Sequence, residues 1–113
     1  MDNKIYSLEK LNEIAQGDDA FIQELIITFI ETVSEEIKNI QKLMEVGDWQ
    51  AIGKIAHKLA PSYAYMDSES LYALVANIEK KIQKSDLAEI TAMTHQMCTD
   101  SLVLIDELRK ITK

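Results

Sequence analysis

Residues 19–46, "DAFIQELIITFIETVSEEIKNIQKLMEV", decide the fold. Phe21, Ile22, Leu25, Ile26, Phe29, Ile30, Val33, Ile37, Ile40 and Met44 recur at steps of three and four. That rhythm belongs to an α-helix, and so wide an apolar stripe lines a bundle core. The flanks punctuate it. In "QGDD", Gly17 can take the left-handed conformation that ends a helix, and Asp18 can cap the next one. In "VGDW", Gly47 stops the long helix, Asp48 caps and Trp49 begins another.

Working outward, the same periodicity predicts a short first helix over 7–16, with Leu8, Leu11 and Ile14 or Ala15 on one face. It predicts a third helix over 49–63. A fourth, capped by Asp67 or Ser68, reaches about residue 84 and carries Leu71, Leu74, Val75, Ile78 and Ile82. A last helix is capped by Ser85 or Asp86; with Asp86, Glu89 stands where a capping box needs it. Its apolar residues are Leu87, Ile90, Met97, Leu104, Ile105, Leu108 and Ile111. Short connections between long amphipathic helices make antiparallel neighbours. The expected fold is all-α: an up-and-down four-helix bundle over 1–113 as one domain, with the short first helix as a lid across one end.

Composition agrees and narrows function. The 113 residues are 47% hydrophobic with only three Gly and one Pro, which favours helices around one core. The single cysteine, Cys98, forms no internal disulfide, and nothing calls for an oxidising compartment. The start "MDNKIYSLEK" has no basic stretch leading into an apolar run, and the apolar runs are too short to cross a bilayer. A cytoplasmic protein without membrane contact is expected. Net charge is −7, from 19 acids and 12 bases, which repels phosphate backbones and argues against nucleic-acid binding.

The charge is uneven. Residues 49–66 contain no acid, yet hold Lys54, His57 and Lys58. On a helical projection with Ile52 at zero, Ile55, Ala56 and Leu59 fall within roughly 60° and form the buried stripe. His57 falls at about 140°, facing water. Gly53, Ala60, Pro61 and Ala64 surround it with small groups, so a partner surface can close over the imidazole. Gly53 costs about 1 kcal/mol against alanine in a helix interior. Pro61, if helical, removes the amide that would bond the His57 carbonyl. Lys54 lies about 60° from His57 and Lys58 about 100° away, both within reach of a phosphoryl group on the ring. A neutral imidazole is a competent nucleophile near pH 7. The plainer alternative is a solvated surface histidine with unrelated lysines.

These residues resemble the histidine-containing phosphotransfer (HPt) domain of two-component phosphorelays. "AHKLAPS" at 56–62 is similar to the family's A-H-x-L-K-G-S core. "GDDAFIQELIITF", "GDW" and "LYALVANIE" fit the family pattern in the second, third and fourth helices. The resemblance implies that His57 accepts a phosphoryl group from a receiver-domain aspartate and passes it to another receiver. It implies receiver domains of response regulators and a hybrid sensor kinase as partners. The chain needs no cofactor of its own, since Mg²⁺ belongs to the receiver, and a monomer is the simplest state. Lys54 and Lys58 are the candidate phosphate-stabilising residues; Gly53, Ala60, Pro61 and Ala64 are the candidate docking residues. Three positions depart from the pattern: Ala60 replaces a lysine, Pro61 a glycine, and Asp67 another glycine. The competing reading is a helical docking module that binds receivers or other signalling proteins without carrying phosphate.

Elsewhere the signals are weak. His95 lies in a stretch of the last helix without lysine, which suits a surface histidine. His95 and Cys98 make a two-ligand pair at most. No Glu-x-x-His pairs suggest a ferritin-like metal site, and no strained nucleophile turn suggests a hydrolase.

Overall fold

The computed structural model describes residues 5–84 and 86–112. They form α1 (Glu9–Ala15), α2 (Asp19–Val46), α3 (Trp49–Tyr65), α4 (Glu69–Lys84) and α5 (Leu87–Ile111). α2 packs on α3 and α5, and α4 packs on α3 and α5, closing a four-helix ring. The 44 Å long axis fits the roughly 42 Å that α2 spans at 1.5 Å per residue. Ile26, Val33, Ile40, Ile52, Tyr63, Leu71, Ile78, Met97 and Leu104 are fully buried in one core.

Aspartate starts three of the helices. Asp18 accepts from the Phe21 amide at 3.2 Å, Asp48 from Ala51 at 3.1 Å and Asp86 from Glu89 at 3.4 Å. Each satisfies an amide that has no partner inside its helix. The Glu89 side chain does not complete a capping box; it pairs with Lys81 at 2.6 Å and ties α5 to α4. Ser85, the other cap expected there, lies outside the described residues. At the end of α2, Gly47 has φ +71°, a conformation that costs glycine little. α1 ends on Gln16 at φ +51°, one residue before the expected Gly17, which itself has φ +80°.

Several sequence expectations are corrected. α3 runs through Pro61 to Tyr65 rather than stopping near 63. Asp67 does not cap α4. It sits at φ +52°, the left-handed region that aspartate tolerates better than most residues, and its carboxylate pairs with Lys10 at 3.2 Å. This explains why a glycine would suit the position. The Ser68 hydroxyl does not cap either, being buried without a hydrogen-bond partner. Phe21 and Leu87, in the first turns of their helices, are exposed, as is Ile14; Ala15 takes the buried place in α1.

α1 covers the end of the bundle where α3 turns into α4. The Ser7 amide donates to the Met66 carbonyl at 2.8 Å, and Lys10 Nζ donates to the Ala64 carbonyl at 3.3 Å. Together with the Lys10–Asp67 pair, these contacts fix the turn between the two helices that carry the site.

Candidate functional site

The α3 stripe that enters the core is Ile52, Ala56, Leu59 and Tyr63, and Ile55 packs at its edge. His57 therefore leaves the opposite flank, with its side chain 78% exposed. Because residue 61 is proline, the His57 carbonyl has no amide at the fourth position to receive.

α4 runs antiparallel beside α3 and supplies what sequence reasoning missed. Val75, Ile78 and Ile82 hold it to the core, which turns Glu79 toward α3. His57 Nδ1 lies 3.2 Å from both carboxylate oxygens of Glu79. A carboxylate only accepts, so Nδ1 carries the hydrogen and donates it. In the neutral ring the lone pair is then on Nε2, the nitrogen that Glu79 does not engage, in a side chain that is 78% exposed. The acid-free sequence window is thus not an acid-free surface: two neighbouring helices supply carboxylates.

Two cavities of about 300 Å³ flank the His57–Glu79 pair in the α3/α4 groove. One is bordered by Gly53, Lys54 and Ile82. The other is bordered by Ala60, Tyr72, Ala76 and Lys80. Lys54 is exposed and shares its cavity with His57. Lys58 reaches the other way, with Nζ 3.6 Å from Glu36 of α2. The lysine end of this pair is 68% exposed and the contact is long, so Lys58 can exchange partners, although the Glu36 side chain is only 12% exposed.

The small residues divide. Ala60 lines the second cavity, whereas Pro61 is exposed but borders neither cavity. Ala64 lies further along, under Lys10. Gly53 has a packing reason as well: a Cβ there would stand 2.9 Å from Ile82 Cδ1. Its bare backbone lets α4 approach and keeps the flank of His57 low. His95 is exposed on the far face, and burial pushes the Cys98 thiol up to about 11. Among the described residues, no three His, Cys, Asp or Glu side chains gather as metal ligands.

Comparison with known proteins fits this geometry. A family model described as "Hpt domain" matches residues 24–110, from the second turn of α2 to the last turn of α5. The chain belongs to the Hpt family. Hpt domains serve phosphorelays by histidine phosphotransfer, with receiver domains as partners. The chain is 28% identical over 106 residues to the virulence sensor protein BvgS of Bordetella pertussis, covering 92% of this chain. It is 27% identical over 106 residues to the BvgS of Bordetella parapertussis. It spans only 9% of the length of these relatives. No solved structure matches it. Among the described residues, no helix is long and apolar enough to cross a membrane.

Proposed function

We propose that the chain, acting as one unit over 1–113, is a cytoplasmic, monomeric phosphorelay intermediate whose phospho-acceptor is His57. The observation that carries this reading is the exposed imidazole whose Nδ1 is held by Glu79, which leaves Nε2 as the nitrogen without that contact. In the reaction, the Nε2 lone pair attacks the phosphorus of a receiver's aspartyl phosphate. The N–P bond forms as the P–O bond to the aspartate breaks, and the aspartate leaves as its carboxylate. The Nδ1 proton stays in place, and Glu79 faces the positive charge that develops on the ring, as a carboxylate does behind a catalytic histidine. The receiver supplies Mg²⁺. Transfer to a second receiver reverses these steps, and a hybrid sensor kinase is the source of the first phosphoryl group.

Lys54 and Lys58 offset the charge of the phosphoryl group; Lys58 does so by leaving Glu36. Gly53, Ala60, Pro61 and Ala64 give the receiver a low surface on which to dock. The test is incubation with a receiver domain phosphorylated with labelled phosphate. The chain takes up label that is labile in acid and stable in base. Lys54→Ala and Lys58→Ala each slow uptake by about two- to fivefold, the range of one exposed charge contact, with the fold intact. Unchanged rates in both, and in the double variant, would remove them from the mechanism. A chain that binds the receiver but takes no label would be a docking module instead.

Glu79 gives a sharper expectation. Glu79→Ala frees both imidazole nitrogens to carry the proton and slows uptake by about tenfold, as loss of a histidine-orienting partner does elsewhere. Glu79→Gln keeps an oxygen acceptor and stays closer to the parent. Imidazole ¹⁵N shifts report the tautomer directly. An alanine variant with the parent's tautomer and rate would show that Glu79 does not orient the ring.

A further inference from the structure

The cavity beside Ala60 is bordered by an exposed lysine of α4. Lys80 follows Glu79 on α4 and borders the same cavity of about 300 Å³ as His57 and Ala60. Among the described residues it has no ion-pair partner, whereas Lys58, Lys81 and Lys10 are engaged with Glu36, Glu89 and Asp67. The methyl groups of Ala60 and Ala76, which also border this cavity, leave it open between His57 and Lys80.

Electrostatics gives that placement a use. A phosphoryl group on Nε2 is a dianion standing next to the Glu79 carboxylate, so the carboxylate that orients the ring also repels the product. Lys54 borders the cavity on one side of the His57–Glu79 pair, and Lys80 borders the cavity on the other. Lysine carries its charge on a flexible stem and binds phosphate as a point charge, so it needs no fixed geometry.

We propose that Lys80 is a further phosphate-stabilising residue: from α4 it enters the cavity beside Ala60 and donates to the phosphoryl oxygens on His57. The inference rests on the phosphotransfer reading above. It places the counter-charge on the helix that also orients the nucleophile, and it accounts for a short side chain at Ala60.

The experiment compares variants of the 113-residue chain against one phosphorylated receiver domain that labels the parent chain. Lys80→Ala lowers the rate of label uptake about fivefold, the upper range for one exposed charge contact. Lys80→Arg stays near the parent, and Lys80→Glu is slower than alanine. Adding Ala60→Lys to Lys80→Ala restores the rate, because the new ammonium enters the same cavity from α3. A ³¹P titration of the phosphorylated chain supplies a readout that a structural role would not move. Loss of a neighbouring cation raises the pH at which the phosphoryl group takes up its proton. A parent that labels, with an alanine variant unchanged in both rate and ³¹P titration, overturns the role of Lys80 and leaves the phosphorelay reading standing. A parent that no phosphorylated receiver labels overturns that reading, and this inference with it.

Discussion

His57→Gln abolishes uptake of label from a phosphorylated receiver, at least a hundredfold below the parent, while the fold is unchanged. The amide nitrogen of glutamine has its lone pair delocalised into the carbonyl and cannot attack phosphorus. The side chain is of comparable size and keeps donors for Glu79, and position 57 is 78% exposed. Surface substitutions of this kind stay within about 0.5 kcal/mol of the parent. The loss is therefore chemical, and circular dichroism with a urea titration checks that it is. A glutamine variant that labels as fast as the parent removes His57 from the reaction, and the neighbouring lysines and carboxylate lose their assigned roles with it.

Tyr63→Ala destabilises the bundle by about 3–5 kcal/mol, the range for deleting a buried aromatic ring. Tyr63 is fully buried on α3, its ring meets Phe29 of α2 edge to face at 6.2 Å, and its hydroxyl bonds Ser101 of α5 at 2.7 Å. One side chain thus joins three helices of the ring. Tyr63→Phe keeps the ring but leaves the Ser101 hydroxyl buried without its partner, a loss of about 1–3 kcal/mol. Adding Ser101→Ala to the phenylalanine variant recovers much of it. Urea unfolding separates these variants. An alanine variant as stable as the parent would mean that the ring carries little of the core. Burial also pushes the Tyr63 phenol up to about 12, despite the Ser101 bond. The unfolded chain ionises first, near 10. The contribution is therefore complete below pH 10 and is lost as pH rises through about 12.

The sequence was strong where local chemistry is decisive. The stripe of α2, the caps Asp18, Asp48 and Asp86, and the outward direction of His57 all follow from spacing within one helix. Tyr63 was harder: it sits one turn beyond Leu59 on the buried stripe, but at the expected last residue of α3, where helix spacing says least about burial. Asp67 read as a cap because aspartate caps helices, whereas its left-handed backbone is set by the turn.

Glu79, Glu36 and Lys80 show a different kind of gap. Each reaches the neighbourhood of α3 from another helix, so no window along the chain contains the group and its partner together. A signal for Glu79 was nonetheless present. Antiparallel helices joined by a short turn mirror one another about it. With α3 ending at Tyr65 and α4 starting at Glu69, position 57 faces residues near 79. Gly53 opposite Ile82 obeys the same symmetry. What the mirror does not give is the rotation of α4 about its axis, which packing of Val75, Ile78 and Ile82 decides.

The hydrogen bond from His57 to Glu79 crosses between helices, and this has a consequence for regiochemistry. An imidazole on an isolated α3 peptide would exchange its proton freely between two nitrogens and could be modified at either. In the assembled bundle one nitrogen is occupied by α4 and the other is presented outward. If His57 is the phospho-acceptor proposed above, selection of a single phosphohistidine isomer is a property of the tertiary fold, lost with the helix pairing even where the histidine itself survives.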